Sequence, residues 1–301
     1  DGGGGEFIWD ASSTATVNTG TCFQAAAGGT GRWIRFIKYS YVDVRWFNCL
    51  PDSTSRSTEA QAAYDYVSST GPYTPNELVF TGGYFNVNLT AHNANINIIG
   101  IGKPQLRPDV STTPVITLSN VETSYADPRL ISGLHFSQNG TSHTGTAIYC
   151  AADVHHVKIQ HCEFQFFDIS IDRSNGNFGM YIRDCSFETS NYHIYSKDTA
   201  TAHACNVMIT GGHMRSASKA CFYIDSSLVS QAGMFIVRDV TIESNSGYVL
   251  FIKQADTTLT GVPTITIESC WNENNATSGS ITVGGVTAVP TWGYVASCHG
   301  V

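Results

Sequence analysis

Three glutamates, an arginine and a histidine recur at similar spacing in the second half of the chain and are suited to act on one substrate. Glu188, Arg215, Glu243 and Glu273 each follow the last apolar residue of a short repeated pattern, and His213 precedes Arg215 by two residues. Paired carboxylates hydrolyse glycosidic bonds, with one as general acid and the other as base or nucleophile. The alternative for the same column is a salt-bridged ladder on a solvated surface.

The spacing between these carboxylates follows from stacking the repeats. Equivalent residues on neighbouring parallel strands lie roughly 4.8 Å apart. Glu243 and Glu273 then approach the ~5 Å of a retaining pair, and Glu188 and Glu243, two repeats apart, the ~6.5–9.5 Å of an inverting pair. Arg215, between Glu188 and Glu243, is suited to bind the carboxylate of a uronic or sialic acid, or to keep one glutamate ionised.

A second predicted column comes from the other apolar stretch of each repeat and contains Asp172, Tyr195, Asp225 and Lys253. Carboxylates beside an aromatic ring suit sugar binding, because the ring packs on a pyranose while the carboxylates accept hydroxyl hydrogen bonds. The alternative is charge that solvates an exposed sheet.

A β-elimination is the second reaction that these residues suggest. His213 and Tyr195, with Arg215, provide a base and a cation that stabilises the substrate carboxylate, as in a polysaccharide lyase. We favour hydrolysis because no Lys/Arg cluster dominates one face.

A short pattern recurs through the chain and predicts the elements that position these residues. It consists of an apolar residue, two residues of any type, an apolar or small residue, one residue of any type and a last apolar residue. After a weaker copy at Ile98, its first residues follow at intervals of 23 to 33 residues. Each repeat also holds a second β-rich stretch, which indicates several short strands per coil and hence a parallel β-helix. The clear copies are Ile131–Phe136, Ile159–Phe164, Ile182–Phe187, Ile209–Met214, Val237–Ile242 and Ile267–Asn272.

The cysteines fit the same stack. Cys162, Cys185 and Cys270 occupy one repeat position, so we expect them to lie above one another as buried thiols. The nine cysteines include no CxxC pair, and no histidine spacing is typical of zinc. We therefore predict neither a metal ion nor another cofactor.

Residues 57–67 are the stretch with helical periodicity. Ala60, Ala63, Tyr64 and Val67 follow i, i+3, i+4, i+7 spacing, and Thr58 with Gln61 has the spacing of a capping box. Ahead of a solenoid, such a helix is expected to cover the open apolar end of the first coil.

The composition excludes two classes of partner. A net charge of −8, with 13% charged residues, argues against nucleic acid. No apolar run approaches the ~18 residues of a membrane span. The chain starts Asp-Gly-Gly-Gly-Gly without Met, so we expect a piece of a longer protein, truncated at both ends.

Four segments before the repeats resemble, in order, the N-terminal part of bacteriophage tailspike proteins. They are residues 2–16, 31–35, 42–47 and the helix residues 59–63. In that family a Gly- and Asp-rich turn usually precedes the helix, whereas residues 48–53 read Asn-Cys-Leu-Pro-Asp-Ser. The departure affects a loop, and the resemblance assigns no catalytic residue.

The resemblance implies a right-handed, single-stranded parallel β-helix with a short N-terminal capping helix. It also implies a homotrimer, made in the host cytoplasm and carried on the virion tail through a further N-terminal part, that binds and usually cleaves capsule or O-antigen. The expected units are a neck at 1–50, the helix and lead-in at 51–90, and about seven coils at 91–301. A non-cleaving receptor-binding coil and a structural solenoid such as an adhesin are the alternatives.

Overall fold

The computed structural model describes most of the chain. The described residues are 4–25, 28–69, 75–92, 95–119, 129–138, 140, 143–151, 154–174, 177–197, 204–225, 234–253, 264–273, 275, 281–284 and 293–296.

The N-terminal segment forms a small antiparallel sheet and leads into a helix. Its elements are β1 (Phe7–Asp10), β2 (Cys22–Gln24), β3 (Arg32–Arg35), β4 (Tyr41–Asp43), the 3-10 helix η1 (Val44–Phe47) and α1 (Ser57–Ser69). Strands β1, β3 and β2 pair antiparallel in that order, whereas β4 is an edge strand of the ten-stranded sheet described below.

Short strands make up the rest of the described chain. The strands of the first coils are β5 (Glu77–Thr81), β6 (Tyr84–Asn86), β7 (Leu89–Ala91), β8 (Asn97–Ile101), β9 (Gln105–Arg107), β10 (Ile116–Leu118), β11 (Arg129–Ser132), β12 (His135–Ser137), β13 (Thr146–Cys150), β14 (Val154–Gln160), β15 (Glu163–Gln165) and β16 (Ile169–Asp172). The later strands are β17 (Asn177–Arg183), β18 (Ser186–Glu188), β19 (Tyr192–Lys197), β20 (Ala204–Thr210), β21 (His213–Arg215), β22 (Ala220–Asp225), β23 (Met234–Arg238), β24 (Thr241–Glu243), β25 (Tyr248–Lys253), β26 (Thr264–Glu268), β27 (Trp271–Glu273), β28 (Ile281–Gly284) and β29 (Gly293–Ala296).

These strands stack into three parallel sheets, which confirms the predicted parallel β-helix. The ten-stranded sheet has the order β29-β26-β23-β20-β17-β14-β11-β8-β5-β4. The carboxylate sheet, named for its glutamates, has the order β27-β24-β21-β18-β15-β12-β9-β6. The aromatic sheet has the order β28-β25-β22-β19-β16-β13-β10-β7. Each coil contributes one strand to each sheet, in that order along the chain; the handedness of the coil stays a prediction.

The repeated apolar residues set the register of the stack. Ile131, Ile159, Ile182 and Ile209 are direct partners on successive strands of the ten-stranded sheet. In the carboxylate sheet, the inward rings of Phe136, Phe164 and Phe187 stack face to face at centroid distances of 4.9 and 4.8 Å. Cys162, Cys185 and Cys270 are buried in the same core, as predicted.

Sharp turns isolate each three-residue strand of the carboxylate sheet. Asp184, just before β18, has a φ of 50°, and Thr189, just after it, a φ of 48°. The same left-handed conformation recurs before β21 at Gly211 and before β24 at Asp239. Because the backbone turns at both ends of β18, this strand has one inward residue between two outward ones, and Glu188 is one of the latter.

Helix α1 covers the first coil. It spans Ser57–Ser69 and buries Ala60, Ala63, Tyr64 and Val67, which confirms the predicted helix and its buried face. Ser57 Oγ accepts a hydrogen bond from the Asn88 backbone N–H. The predicted capping box is wrong, because the Gln61 amide instead exchanges two hydrogen bonds with the backbone of Thr90 on β7. The helix is thus tied to the coil that it caps.

The first strands that stack in all three parallel sheets are β5, β6 and β7, at residues 77–91. Within the described ranges, the carboxylate and aromatic sheets each have eight strands. The division into units at 50/51 and 90/91 stays a prediction. None of the helices in the described part is long and apolar enough to cross a membrane.

Candidate functional site on the outer faces of the coil

The outer face of the carboxylate sheet presents the predicted column in register. Direct partners along it are Glu188 with Arg215, Arg215 with Glu243, and Glu243 with Glu273. Glu243 and Glu273 are therefore one coil apart, and Glu188 and Glu243 are two coils apart, as the repeat predicted. The side chains of Glu188 and Glu243 are 22% and 30% exposed, which leaves them accessible to a substrate.

Glu188 is held at one carboxylate oxygen by both neighbouring coils. Its Oε2 accepts a hydrogen bond from Gln165 Nε2 at 3.1 Å and lies 3.0 Å from Arg215 Nη2. Its Oε1 lies 3.4 Å from Ser186 Oγ, a long and weak contact. This arrangement fixes the orientation of the carboxylate and leaves Oε1 suited to accept a proton from water.

Glu243 and Glu273 are each paired within the same face. His213 Nε2 lies 3.0 Å from Glu243 Oε1, so the imidazole and the carboxylate are within hydrogen-bonding distance. Trp271 Nε1 donates a hydrogen bond to Glu273 Oε2 at 2.8 Å, and the Trp271 side chain is 50% exposed. The face therefore offers an acid–base pair and an exposed indole on adjacent coils.

A second outward row runs beside the glutamates and contains the predicted His213 together with two residues that the repeat analysis missed, Glu163 and Ser186. Glu163, Ser186 and His213 are direct partners two residues upstream of the predicted column. They border a groove of about 280 Å³ together with Lys103 and Asp184. Lys103 Nζ lies 2.5 Å from Glu163 Oε1. The available signal was the period of two, which puts residue i−2 on the same face as each glutamate.

The second predicted column is only partly correct. Asp172 and Tyr195 are direct partners on the aromatic sheet, as predicted. The next residue in that column is Tyr223, whereas Asp225 pairs with Lys197 and Lys253 two residues further on.

The alignment failed at the strand that contains Asp225. Phe222, and not Ile224, stacks on Ile194, so the residue after the last apolar position falls outside the column. Asp225 is also buried, with 3% exposure, which removes it from the outer surface. The side chain of Lys253 lies outside the described residues.

Burial changes the acid–base properties of the two correctly placed residues. Burial raises the pKa of Asp172 above its usual range, against hydrogen bonds donated by Ser174. Burial also raises the pKa of Tyr195, to about 12, and the neighbouring Tyr223 and Asp172 add to this. Tyr195 is therefore protonated at neutral pH and poorly suited to act as a base.

The three residues proposed for β-elimination do not form one site. His213 and Arg215 lie on β21 of the carboxylate sheet, but Tyr195 lies on β19 of the aromatic sheet. Tyr195 belongs to the second apolar stretch of its repeat, whereas His213 and Arg215 belong to the first pattern, and the turn between the two sheets separates their outer faces.

The aromatic sheet also contains a groove of about 510 Å³ that the sequence patterns did not indicate. We call it the aromatic groove and define it by Tyr192, Tyr223, Tyr248, Phe251, Lys219 and Ser246. Its signal in the sequence was an aromatic residue in the second stretch of successive repeats. In the part of the chain that the structure describes, no group of His, Cys, Asp and Glu side chains is arranged to hold a metal ion.

Comparisons with known proteins relate the chain to phage tail proteins. A family model, the phage tail protein small four-stranded β-sheet domain, matches residues 1–38, which include β1, β2 and β3. A search of curated protein sequences gave no match.

Solved tailspike structures share the fold over nearly the whole chain. The enzymatically active domain of tailspike protein 2 from bacteriophage CBA120 superposes with a TM-score of 0.63 at 14% identity, covering 99% of this chain and 48% of that chain. The full-length tailspike protein 2 from an Escherichia coli O157:H7 bacteriophage gives 0.64 at 13% identity, covering 99% and 43%. A tailspike protein of Acinetobacter baumannii bacteriophage Fri1, described as a capsular polysaccharide depolymerase, gives 0.51 at 12% identity, covering 92% and 66%.

These matches confirm the resemblance to tailspike proteins that the N-terminal segments indicated. At 12–14% identity they show a common fold. The chain spans less than half the length of the two tailspike 2 chains. Taken together, the parallel coils and the match at residues 1–38 describe a phage tail domain match followed by a fold that solved tailspike structures share.

Proposed function

We propose that this chain is the β-helical part of a phage tailspike that binds and cleaves a bacterial surface polysaccharide, either capsule or O-antigen. The observation that carries the proposal is the column of Glu188, Arg215, Glu243 and Glu273 on one outer face of a tailspike-like coil. Two of the similar structures are described as an enzymatically active domain and a capsular polysaccharide depolymerase, which supports an enzymatic role here.

The contacts favour hydrolysis by Glu188 and Glu243. Two coils place their strands about 9.6 Å apart, near the upper end of the ~6.5–9.5 Å of an inverting pair, and side chains adjust the final distance. Glu188, oriented by Gln165 and Arg215, accepts a proton from the attacking water at Oε1. Glu243 donates a proton to the leaving oxygen and is reprotonated through His213, 3.0 Å away.

The remaining residues of the face bind and orient the glycan. Trp271 presents an exposed ring to a neighbouring sugar, and ring stacking on a pyranose suits an indole. Glu273 holds that indole through its Nε1. If Glu273 instead acts with Glu243 one coil away, the pair matches the ~5 Å of a retaining enzyme.

Lyase chemistry is the second candidate, and one observation favours it. His213 and Arg215 lie two residues apart on the same face of β21, so a base and a cation are neighbours there. With a uronic acid substrate, Arg215 would stabilise the carboxylate while His213 removes the adjacent proton. Tyr195 takes no part in this version.

The test is incubation with a panel of purified capsular and O-antigen polysaccharides, reading new reducing ends and absorbance at 232 nm. Hydrolysis gives reducing ends without the chromophore, and Glu188→Gln and Glu243→Gln abolish them. The matched control is Glu268→Gln, a glutamate on the ten-stranded sheet. A rise at 232 nm overturns hydrolysis in favour of elimination. Binding without cleavage on every glycan leaves the non-cleaving receptor-binding coil.

We also infer that three copies assemble on the virion tail, with attachment through a part N-terminal to this chain. The tailspike-like fold and the phage tail domain match at residues 1–38 support this arrangement. Light scattering after size-exclusion chromatography tests it, and a mass of three chains is the expected result.

A further inference from the structure

The aromatic groove is a concave surface on a different sheet from the carboxylate column. We propose that it binds one carboxylated pyranose, such as a hexuronic acid residue of the polysaccharide. The inference rests on the proposed function, because it takes a surface glycan as the substrate, and it adds a second binding site with its own specificity. The groove volume of about 510 Å³ lies within the ~300–1,000 Å³ typical of ligand sites.

Register leaves a slot between two tyrosines. Tyr192, Ala220 and Tyr248 are direct partners on three successive strands, so the small side chain of Ala220 separates the two rings. Two coils separate their backbones by about 9.6 Å. The Tyr192 ring makes edge-to-face contacts with Tyr195 and Tyr223, at centroid distances of 5.2 and 5.4 Å, so the ligand ring lies in the groove beside Tyr192.

A ladder of stacked rings forms one side of the slot. Tyr195, Tyr223 and Phe251 stack at centroid distances of 4.8 and 5.4 Å, with interplanar angles of 3° and 10°. Both faces of Tyr223 are thus covered by neighbouring rings, and it cannot pack face-on against a sugar. Tyr192 and Tyr248 make edge-to-face and tilted contacts with this ladder, and both line the groove beside it.

Glycine keeps the coils close together at the rim of the slot. A Cβ added to Gly247 would collide with the backbone carbonyl of Lys219 on the preceding coil. A larger residue would push these strands apart and change the spacing between Tyr192 and Tyr248. The slot thus depends on two small residues, Ala220 and Gly247.

The charge of the groove selects the class of sugar. Lys219 is the charged side chain among the described residues that line it. Its Nζ lies 4.9 Å from the centroid of the Tyr192 ring and 3.6 Å from Asp168 Oδ1. The Lys219 side chain is 52% exposed, and an exposed ion pair contributes only about 0–1 kcal/mol. A ligand carboxylate can therefore displace Asp168 while the sugar ring lies against Tyr192.

The experiment measures binding of two oligosaccharide probes by saturation-transfer difference NMR, on the Glu188→Gln variant so that no probe is cleaved. The probes are hexagalacturonate, which carries carboxylates, and maltohexaose, which does not. We expect hexagalacturonate to bind more tightly, and Lys219→Gln to weaken it about tenfold or more while leaving maltohexaose unchanged. Tyr192→Ala and Tyr248→Ala should weaken both probes.

Tyr181→Ala is the matched control, since Tyr181 is an exposed tyrosine on the ten-stranded sheet, 40% accessible. Equal hexagalacturonate affinity with and without Lys219→Gln overturns the proposal, as does the absence of binding by either probe. The outcome is separable from the proposed function. If hexagalacturonate binding depends on Lys219 but the unaltered chain cleaves no polysaccharide of the panel, hydrolysis is refuted and this site is supported. If the unaltered chain hydrolyses a polysaccharide but hexagalacturonate binding does not depend on Lys219, hydrolysis is supported and this site is refuted.

Discussion

Arg215 Nη2 lies 3.0 Å from Glu188 Oε2, and the two residues are direct partners on adjacent coils. Arg215 also lies between Glu188 and Glu243, the two carboxylates proposed to act together. The guanidinium therefore has two possible roles: to orient Glu188, or to bind a charged group of the glycan.

The first prediction separates these two roles. Arg215→Met removes the guanidinium and leaves Gln165 as the remaining partner of Glu188 Oε2, so we expect kcat to fall about 10²-fold, the effect of misplacing a reacting group, with KM nearly unchanged. Arg215→Lys should restore part of the rate, since the charge remains without the planar fork. Arg238→Met, on the ten-stranded sheet, is the control. A rise in KM at constant kcat would instead show that Arg215 binds substrate.

The second prediction concerns the stereochemistry of cleavage. Because Glu188 and Glu243 are two coils apart, we expect the first product to have inverted anomeric configuration. Proton NMR of the anomeric signals within the first minutes of reaction measures this before mutarotation. Glu188→Gln and Glu243→Gln should each lower kcat about 10²–10⁴-fold. A retained configuration would contradict this prediction and would indicate that Glu243 acts with Glu273 instead of Glu188.

The third prediction uses the buried histidine of the aromatic sheet. Burial lowers the pKa of His193 to about 3, below the ~6.5 of an exposed histidine. Between these two pKa values the unfolded chain binds a proton at His193 that the folded chain does not. The contribution of His193 to stability is therefore complete above pH 6.5 and declines as the pH falls toward 3. The loss amounts to up to about 1.4 kcal/mol per pH unit.

His193→Leu should remove this part of the pH dependence. Urea denaturation between pH 7 and pH 5 measures the slope for both chains, after pH 8 data show that the variant folds. His92→Gln is the control, because the His92 side chain is 47% exposed. An unchanged slope in His193→Leu would show that another group causes the acid sensitivity.

The sequence predicted the elements with a strong period and a single inward face. Ile159 and Ile182 align because each repeat places one isoleucine inward at the same point of the ten-stranded sheet. Glu188 and Glu243 align for the same reason, since turns at both ends of three-residue strands leave no freedom of register.

The prediction failed where strands differ in length. On the aromatic sheet, β16 has four residues and β22 six, and two alternate residues of β22, Phe222 and Ile224, are both buried, so the apolar pattern aligns either one with Ile194. Asp225 was misplaced for this reason, and Tyr223 was missed. The aromatic groove depends on three consecutive coils at once, including the absence of a large side chain at Ala220. No single repeat contains that information.

The fourth prediction concerns the stacked phenylalanines behind the carboxylate sheet. Phe164 is fully buried and stacks on Phe136 and Phe187 at 4.9 and 4.8 Å. Phe164→Ala leaves a cavity between two rings that neighbouring coils hold apart, so we expect a loss of about 3–5 kcal/mol in the free energy of unfolding. Phe36→Ala is the matched control, because Phe36 is 49% exposed, and it should change stability by less than about 0.5 kcal/mol. Urea denaturation followed by circular dichroism measures both. Similar losses in the two variants would mean that the coil closes over the missing ring and that the ladder does not support Glu188 and its neighbours.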